Sequence, residues 1–255
     1  MSDPHVITER DGATLILTLN NPARRNALSM PIREALIEAF ESIEADGTVR
    51  AVVITGAGGT FSAGGDISGM NVRTLPDGRQ RFRITHRLVR LMVHCSKPLI
   101  AAVEGFAVGA GLSVAMCCDT VVASETARFG AGFGRIGLIA DMGLNHTLPQ
   151  RVGMGRARQI LLYGEQMDAC SAERIGIVDH VVPQGGALGF ARQRAAHFAD
   201  AASLPIALTK ALLAEGLDAA LERELDMQST LFLTADHAEG RDAFLAKRKP
   251  AFRGA

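Results

Sequence analysis

The sequence predicts an α/β fold, and three observations carry that prediction. Short β-branched runs alternate with longer helical patterns through the first part of the chain, as strands joined by helical crossovers do. The strand pattern stops after residue 182, and only helical patterns follow. Nearly half of the 255 residues are apolar, enough to fill one sizeable core.

In chain order, candidate strands fall at 14–19 (TLILTL), 51–55 (AVVIT), 99–103 (LIAAV), 120–124 (TVVAS) and 178–182 (VDHVV). A helix is expected over 30–45. Ser29 is placed to cap it, Pro31 suits its first turn, and Ile32, Leu36, Phe40 and Ile43 recur on one face. Residues 75–81 contain Pro76, Asp77 and Gly78 and read as a surface loop, followed by a second helix to about residue 95. Further helical patterns cover 188–199, 205–215 and 219–233, and a last one ends near residue 247. Residues 1–187 therefore read as the core domain and 188–255 as a helical region that forms a second layer or a subunit interface.

Charge and cysteine usage exclude several classes. With 27 basic and 27 acidic residues and no basic run, the chain lacks the footprint of a nucleic-acid binder. Cys95, Cys117, Cys118 and Cys170 form no C-x-x-C pair, and adjacent Cys117 and Cys118 suit buried small hydrophobes better than metal ligands, so no metal site is expected. The start, MSDPHVITERDG, has neither the basic nor the apolar segment of a signal peptide, which makes the cytoplasm the expected compartment. The one long apolar run, 98–118, is interrupted by Glu104 and three glycines, so no membrane span is expected.

Two glycine-rich segments carry the chemistry. GAGGTF at 56–61 follows a strand, but Phe61 stands where a dinucleotide-binding turn needs its third glycine. The next residues, Phe61-Ser-Ala-Gly-Gly-Asp-Ile67, let a ligand approach the backbone closely beside apolar neighbours. The second segment, Val103-Glu-Gly-Phe-Ala-Val-Gly-Ala-Gly-Leu-Ser113, leaves a strand and enters a helical pattern running to about Cys118. Ala110 lies at that helix's N-terminus, where an unpaired N–H suits an oxygen that becomes negative during reaction.

FSAGGDI and GFAVGAGLSVAMCCD, together with NPARRNAL, RIGLIADMGLNHTLPQRVG, GIVDHVV and AFLAKRKPAF, resemble the signatures of the crotonase superfamily, the enoyl-CoA hydratases and isomerases, over nearly the whole chain. The resemblance implies a spiral of β-β-α units with a C-terminal helical trimerisation region, and a homotrimer or hexamer. It implies an acyl-CoA thioester as substrate, with coenzyme A entering as part of that substrate and no separate cofactor. The oxyanion-hole N–H groups would be those of Gly65 and Ala110. The backbone from Ala63 through Gly64 and Asp66 to Ile67 would hold the adenine, Arg25 and Ala27 would flank the pantetheine and phosphates, and Phe244 and Lys247 would approach the nucleotide, commonly across a subunit boundary.

Hydratases of this family carry two glutamates, and the matching positions here are Ser113 and Phe133. One acid, Asp141, stands in the otherwise uncharged IGLIADMG stretch, where apolar surroundings raise a carboxyl pKa and improve it as a proton acceptor from carbon. By sequence pattern alone, Asp141 could equally cap a helix beginning near Met142. An aspartate here resembles the acid of the phenylacetate-pathway ring-epoxide isomerase branch and of the dienoyl-CoA isomerases. The expected function is therefore acyl-CoA double-bond isomerisation through a thioester enolate, with hydration, thioester hydrolysis and silent acyl-CoA binding as alternatives. Asp66 reads as a loop carboxylate bonding its own backbone, and His86 and His94 as solvated or core histidines.

Overall fold

Strands buried on both faces read as unbroken apolar runs, and the main sheet is built from such runs. The computed structural model describes residues 5–255. Strand β1 (Val6–Asp11) pairs antiparallel with β2 (Thr14–Leu19). After helix α1 (Met30–Ala45) and strand β3 (Ala51–Gly56) come α2 (Leu75–Val93) and β4 (Leu99–Val103). Then follow β5 (Phe106–Val108), α3 (Ala110–Met116), β6 (Thr120–Ser124), β7 (Arg128–Gly130) and α4 (Leu144–Tyr163), which is broken at Gly153. The remainder is β8 (Gln166–Asp168), α5 (Ala169–Arg174), β9 (His180–Val182), α6 (Ala187–Ala196), α7 (Ser203–Leu213), α8 (Leu217–Leu231) and α9 (Ala235–Leu245).

The large sheet has the order β1-β2-β3-β4-β6-β9 and is parallel from β2 onward; a small second sheet has the order β5-β7-β8. Twice the chain runs through a strand of the large sheet, a strand of the small sheet and a helix, as β4-β5-α3 and β6-β7-α4. That repetition is the predicted β-β-α spiral. Alternate residues of the central strands serve two cores. Leu17, Val52, Ile54, Ala101 and Val121 face α1 and the main core, while Ile16, Val53, Ile100, Ala102 and Val122 are covered by Ala187, Ala191 and Ala195 of α6.

Four of the expected strands and the helix over 30–45 stand within a residue of their expected bounds, and the last strand begins at His180. Residues 75–81 are a correction: they are the first turns of α2, not a loop. Thr74 caps this helix, accepting the Asp77 N–H at 3.3 Å. Pro76 lies in the first turn, where its missing N–H is no loss and the Asp77 carboxylate meets the positive end of the helix dipole. No strand was expected over 6–11, because β1 lies at the sheet edge with residues 8–11 exposed and so lacks an apolar pattern. Among the described residues, no helix is long and apolar enough to cross a membrane.

Candidate active site

The two glycine segments are pressed together in space. Ser62 donates its N–H to the Phe106 carbonyl at 2.7 Å and accepts the Val108 N–H at 3.2 Å, which lays the first loop alongside β5. On its other side, Leu28 donates to the Gly64 carbonyl at 2.7 Å and Ala63 to the Arg25 carbonyl at 2.9 Å. Buried Asn26 ties the same loops together, donating to the Ala57 and Thr60 carbonyls at 2.9 and 2.6 Å.

Contact this close requires glycine. Gly64 has a φ of +110°, and a Cβ there would lie 3.0 Å from the Val108 carbonyl and 3.8 Å from the Ala110 nitrogen. A Cβ on Gly111 would lie 2.5 Å from the Ser62 carbonyl. Gly65 and Ala110 consequently border one cavity of about 510 Å³. Among the described residues, neither of their N–H groups donates to another protein group, and the Ala110 N–H lies in the first turn of α3, where no intrahelical acceptor exists.

Asp141 borders the same cavity. It is 5% exposed, and its Oδ1 has no hydrogen-bond partner among the described residues. Burial is the largest influence on this carboxyl and raises its pKa from 3.8 to about 6; the charges of Arg33, Arg81 and His86 pull it down, and Glu224 pushes it up. Asp141 does not cap the helix after it. That helix starts at Leu144 with Gly143 as its cap residue, and Met142 and Gly143 both take left-handed backbone, at φ +56° and +74°. The Asp141 carbonyl, rather than its side chain, meets the helix, accepting the Leu144 N–H at 3.2 Å.

Phe133 lies in the cavity wall. Ser113 is fully buried, and its hydroxyl donates to the Asp141 carbonyl at 2.9 Å. The carboxylates bordering the cavity are Asp141 and Asp66. Asp66 accepts the Ser68 N–H at 3.1 Å and its hydroxyl at 2.6 Å, the local turn expected of it, with Arg24 at 3.5 Å. Arg25, Ala27, Ala63, Gly64, Ile67 and Phe244 also line the cavity, and the Arg25 guanidinium lies 5.8 Å from the centre of the Phe106 ring. Lys247, just past the end of α9 at φ +52°, is not among the lining residues.

Comparison with known proteins decides the family. Residues 9–255 match the family described as enoyl-CoA hydratase/isomerase. The chain belongs to that family. It is 35% identical to 1,2-epoxyphenylacetyl-CoA isomerase and 37% identical to 2,3-dehydroadipyl-CoA hydratase, both of Escherichia coli K12, with 98% of each chain covered in either case. An enoyl-CoA hydratase from Mycobacterium avium subsp. paratuberculosis K-10 superposes with a TM-score of 0.88 at 32% identity, covering 98% of both chains. The protein is thus an enzyme of the enoyl-CoA hydratase/isomerase family with the crotonase fold, and its relatives' names divide between isomerase and hydratase.

Arg33 and Glu224, at the acid end, escaped the sequence reading, whereas His86, expected as a solvated or core histidine, lies in the core. Arg33 is 1% exposed and, among the described residues, forms no ion pair within 4.0 Å; it donates to the Leu28 carbonyl at 3.0 Å and to the Thr85 hydroxyl at 2.5 Å. Burial, and then the like charge of Arg81, lowers its pKa to about 10. His86 is fully buried and meets buried Glu224 at 2.8 Å. A signal was present, since Arg33 interrupts the apolar stripe of α1, and Glu224 interrupts the leucine face of α8. His94 is exposed, and His146, whose pKa burial lowers, bonds Gln150 at 2.9 Å outside the cavity.

Proposed function

We propose that this enzyme is an enoyl-CoA isomerase that moves a double bond by proton transfer through a thioester enolate. The observation that carries the reading is a single buried carboxyl, Asp141, in the same cavity as two unengaged backbone N–H groups, with a serine and a phenylalanine where a hydratase of the family has glutamates. In this reading the thioester carbonyl oxygen lies between the Gly65 and Ala110 N–H groups. Hydrogen bonds to that oxygen strengthen as it gains negative charge, which lowers the barrier to the enolate.

Asp141, ionised, takes a proton from the α-carbon of a 3-enoyl thioester, the position made acidic by the carbonyl. The C–H electron pair becomes the π-bond between the carbonyl carbon and the α-carbon of a dienolate, and the negative charge collects on the thioester oxygen. Protonated Asp141 then delivers the proton to the γ-carbon, whose old π-pair forms the new C–H bond, as the carbonyl reforms and the double bond moves to the α,β position, giving the conjugated 2-enoyl ester. One carboxyl serves both steps, and its raised pKa suits it to give the proton back. Arg25, Ala27 and the backbone from Ala63 to Ile67 hold the coenzyme A portion, with Phe244 over it. The exposed leucines of α7, at 204, 208, 212 and 213, support assembly of the chain into a trimer or hexamer.

Hydration is the second reading, favoured by the hydratase names among the relatives. The test is mass analysis of products from 3-hexenoyl-CoA and 2-hexenoyl-CoA in heavy water. Isomerisation of the first at unchanged mass, apart from deuterium, is expected; addition of water to the second without isomerisation of the first overturns the proposal. Asp141→Asn should lower the isomerisation rate about 10²- to 10⁴-fold, the usual contribution of a positioned acid-base group.

A further inference from the structure

Asp141 sits in a loop whose backbone is gripped by residues distant in sequence. Gln228 of α8 closes a pair of bonds on one residue, accepting the Ile139 N–H at 3.2 Å and donating to the Ile139 carbonyl at 2.9 Å. One helical turn earlier, Glu224 accepts the Gly143 N–H on Oε2 at 2.9 Å while its Oε1 meets His86 at 2.8 Å. Residues four apart on a helix share a face, so α8 spans the loop from position 139 to position 143 with Asp141 at its midpoint. From the opposite side, α3 contributes the Ser113 hydroxyl to the Asp141 carbonyl.

All three side chains are buried, and none borders the cavity. The loop needs such restraint. A non-glycine residue in left-handed backbone, as at Met142, is strained, so contacts from outside the segment must hold it there. Asn145 adds one local bond, to the Ala140 carbonyl at 2.7 Å.

We infer that Glu224, Gln228 and Ser113 are positioning residues for catalysis, fixing the backbone on both sides of Asp141 so that its carboxyl, unpaired on Oδ1, stays within reach of the α- and γ-carbons between which the proton moves. The inference rests on Asp141 being the proton-transfer group. The charged groups facing that carboxyl are Arg33 from α1, Arg81 and His86 from α2, and Glu224 from α8. Glu224 therefore has two separable effects, since its hydrogen bonds hold the loop and its negative charge opposes ionisation of Asp141. Gln228 and Ser113 have only the first.

The experiment compares full-length Glu224→Gln, Gln228→Met and Ser113→Ala with Asp141→Asn, using 3-hexenoyl-CoA as the probe. For Gln228→Met we expect kcat to fall about 10- to 100-fold, the scale of an ångström of misplacement, with KM changed less than about threefold and the acid limb of the pH profile in place. For Glu224→Gln, the acid limb and the Asp141 carboxyl titration followed by carbon-13 NMR should both move about one unit to lower pH. A merely structural role would lower the melting temperature without moving either limb or titration. Ser113→Ala, the smallest change, carries the kcat expectation if Gln228→Met does not fold. Wild-type kcat and an unmoved titration in folded variants, beside an inactive Asp141→Asn, overturn the positioning role alone; a fully active Asp141→Asn overturns the assignment of the base.

Discussion

The two ends of the cavity are built on opposite principles. At the end we propose as the oxyanion hole, the groups offered are the backbone N–H bonds of Gly65 and Ala110, placed by loops that leave strands β3 and β5 and lock onto each other through Ser62, Gly64 and Gly111. At the acid end the group we propose as the base is a side chain, and its setting is assembled from α1, α2, α3 and α8. The difference teaches where each end is vulnerable. The first tolerates any side chain that does not force the loops apart. The second depends on charges and hydrogen bonds contributed by residues scattered from Arg33 to Gln228.

Gly111→Ala strikes the first end hardest. Its new Cβ would fall 2.5 Å from the Ser62 carbonyl and 2.8 Å from the Ser62 Cβ, so the two loops must separate. We expect kcat for 3-enoyl-CoA to drop about 100-fold, comparable to losing one oxyanion donor, in steady-state kinetics of the folded variant. An unaffected rate would mean that the loop contact does not set the hole.

The pH profile probes the second end. A base must be ionised to accept a proton, and the Asp141 pKa is raised to about 6. The kcat/KM profile should therefore be level above about pH 7, half its plateau at about pH 6, and fall about tenfold per pH unit well below that. A limb near pH 4 would show a carboxyl that burial does not perturb.

A smaller effect appears in stability. The folded-state pKa of Asp141 lies above its ordinary value of 3.8, so the native state binds this proton more tightly than the unfolded chain. Its contribution is fully present below pH 4 and is lost as the pH rises through 6, a difference of about 3 kcal/mol. Asp141→Asn avoids that cost at neutral pH, offset by about 1 kcal/mol because the new amide lacks partners. Calorimetry should show the variant melting about 5 °C above the wild type at pH 8 and no higher at pH 4. The inactive variant would then be the more stable one, the signature of an acid end strained for chemistry.

Legibility in the sequence follows the same division. The central strands and α1 announce themselves because burial on two faces or on one helical stripe imposes an apolar pattern, and the glycine loops do so because close backbone approach admits no side chain. The first turns of α2 misled, since Pro76, Asp77 and Gly78 are turn residues whose helical placement depends on the Thr74 cap and on packing of α2 against α8. Short β5, β7 and β8 carry too few residues for a period to appear.

By itself the sequence determined the α/β class, the two glycine loops and Asp141 as an acid in an apolar stretch, because each is a property of contiguous residues. Only the tertiary structure decided that Asp141 borders the same cavity as Gly65 and Ala110, that Ser113 holds its carbonyl, and that Glu224 and Gln228 grip its loop from a helix more than 80 residues away. The physical reason is that local pattern records what a residue must avoid in its own element, whereas a carboxyl's pKa and aim are set by the charges and donors that folding brings around it.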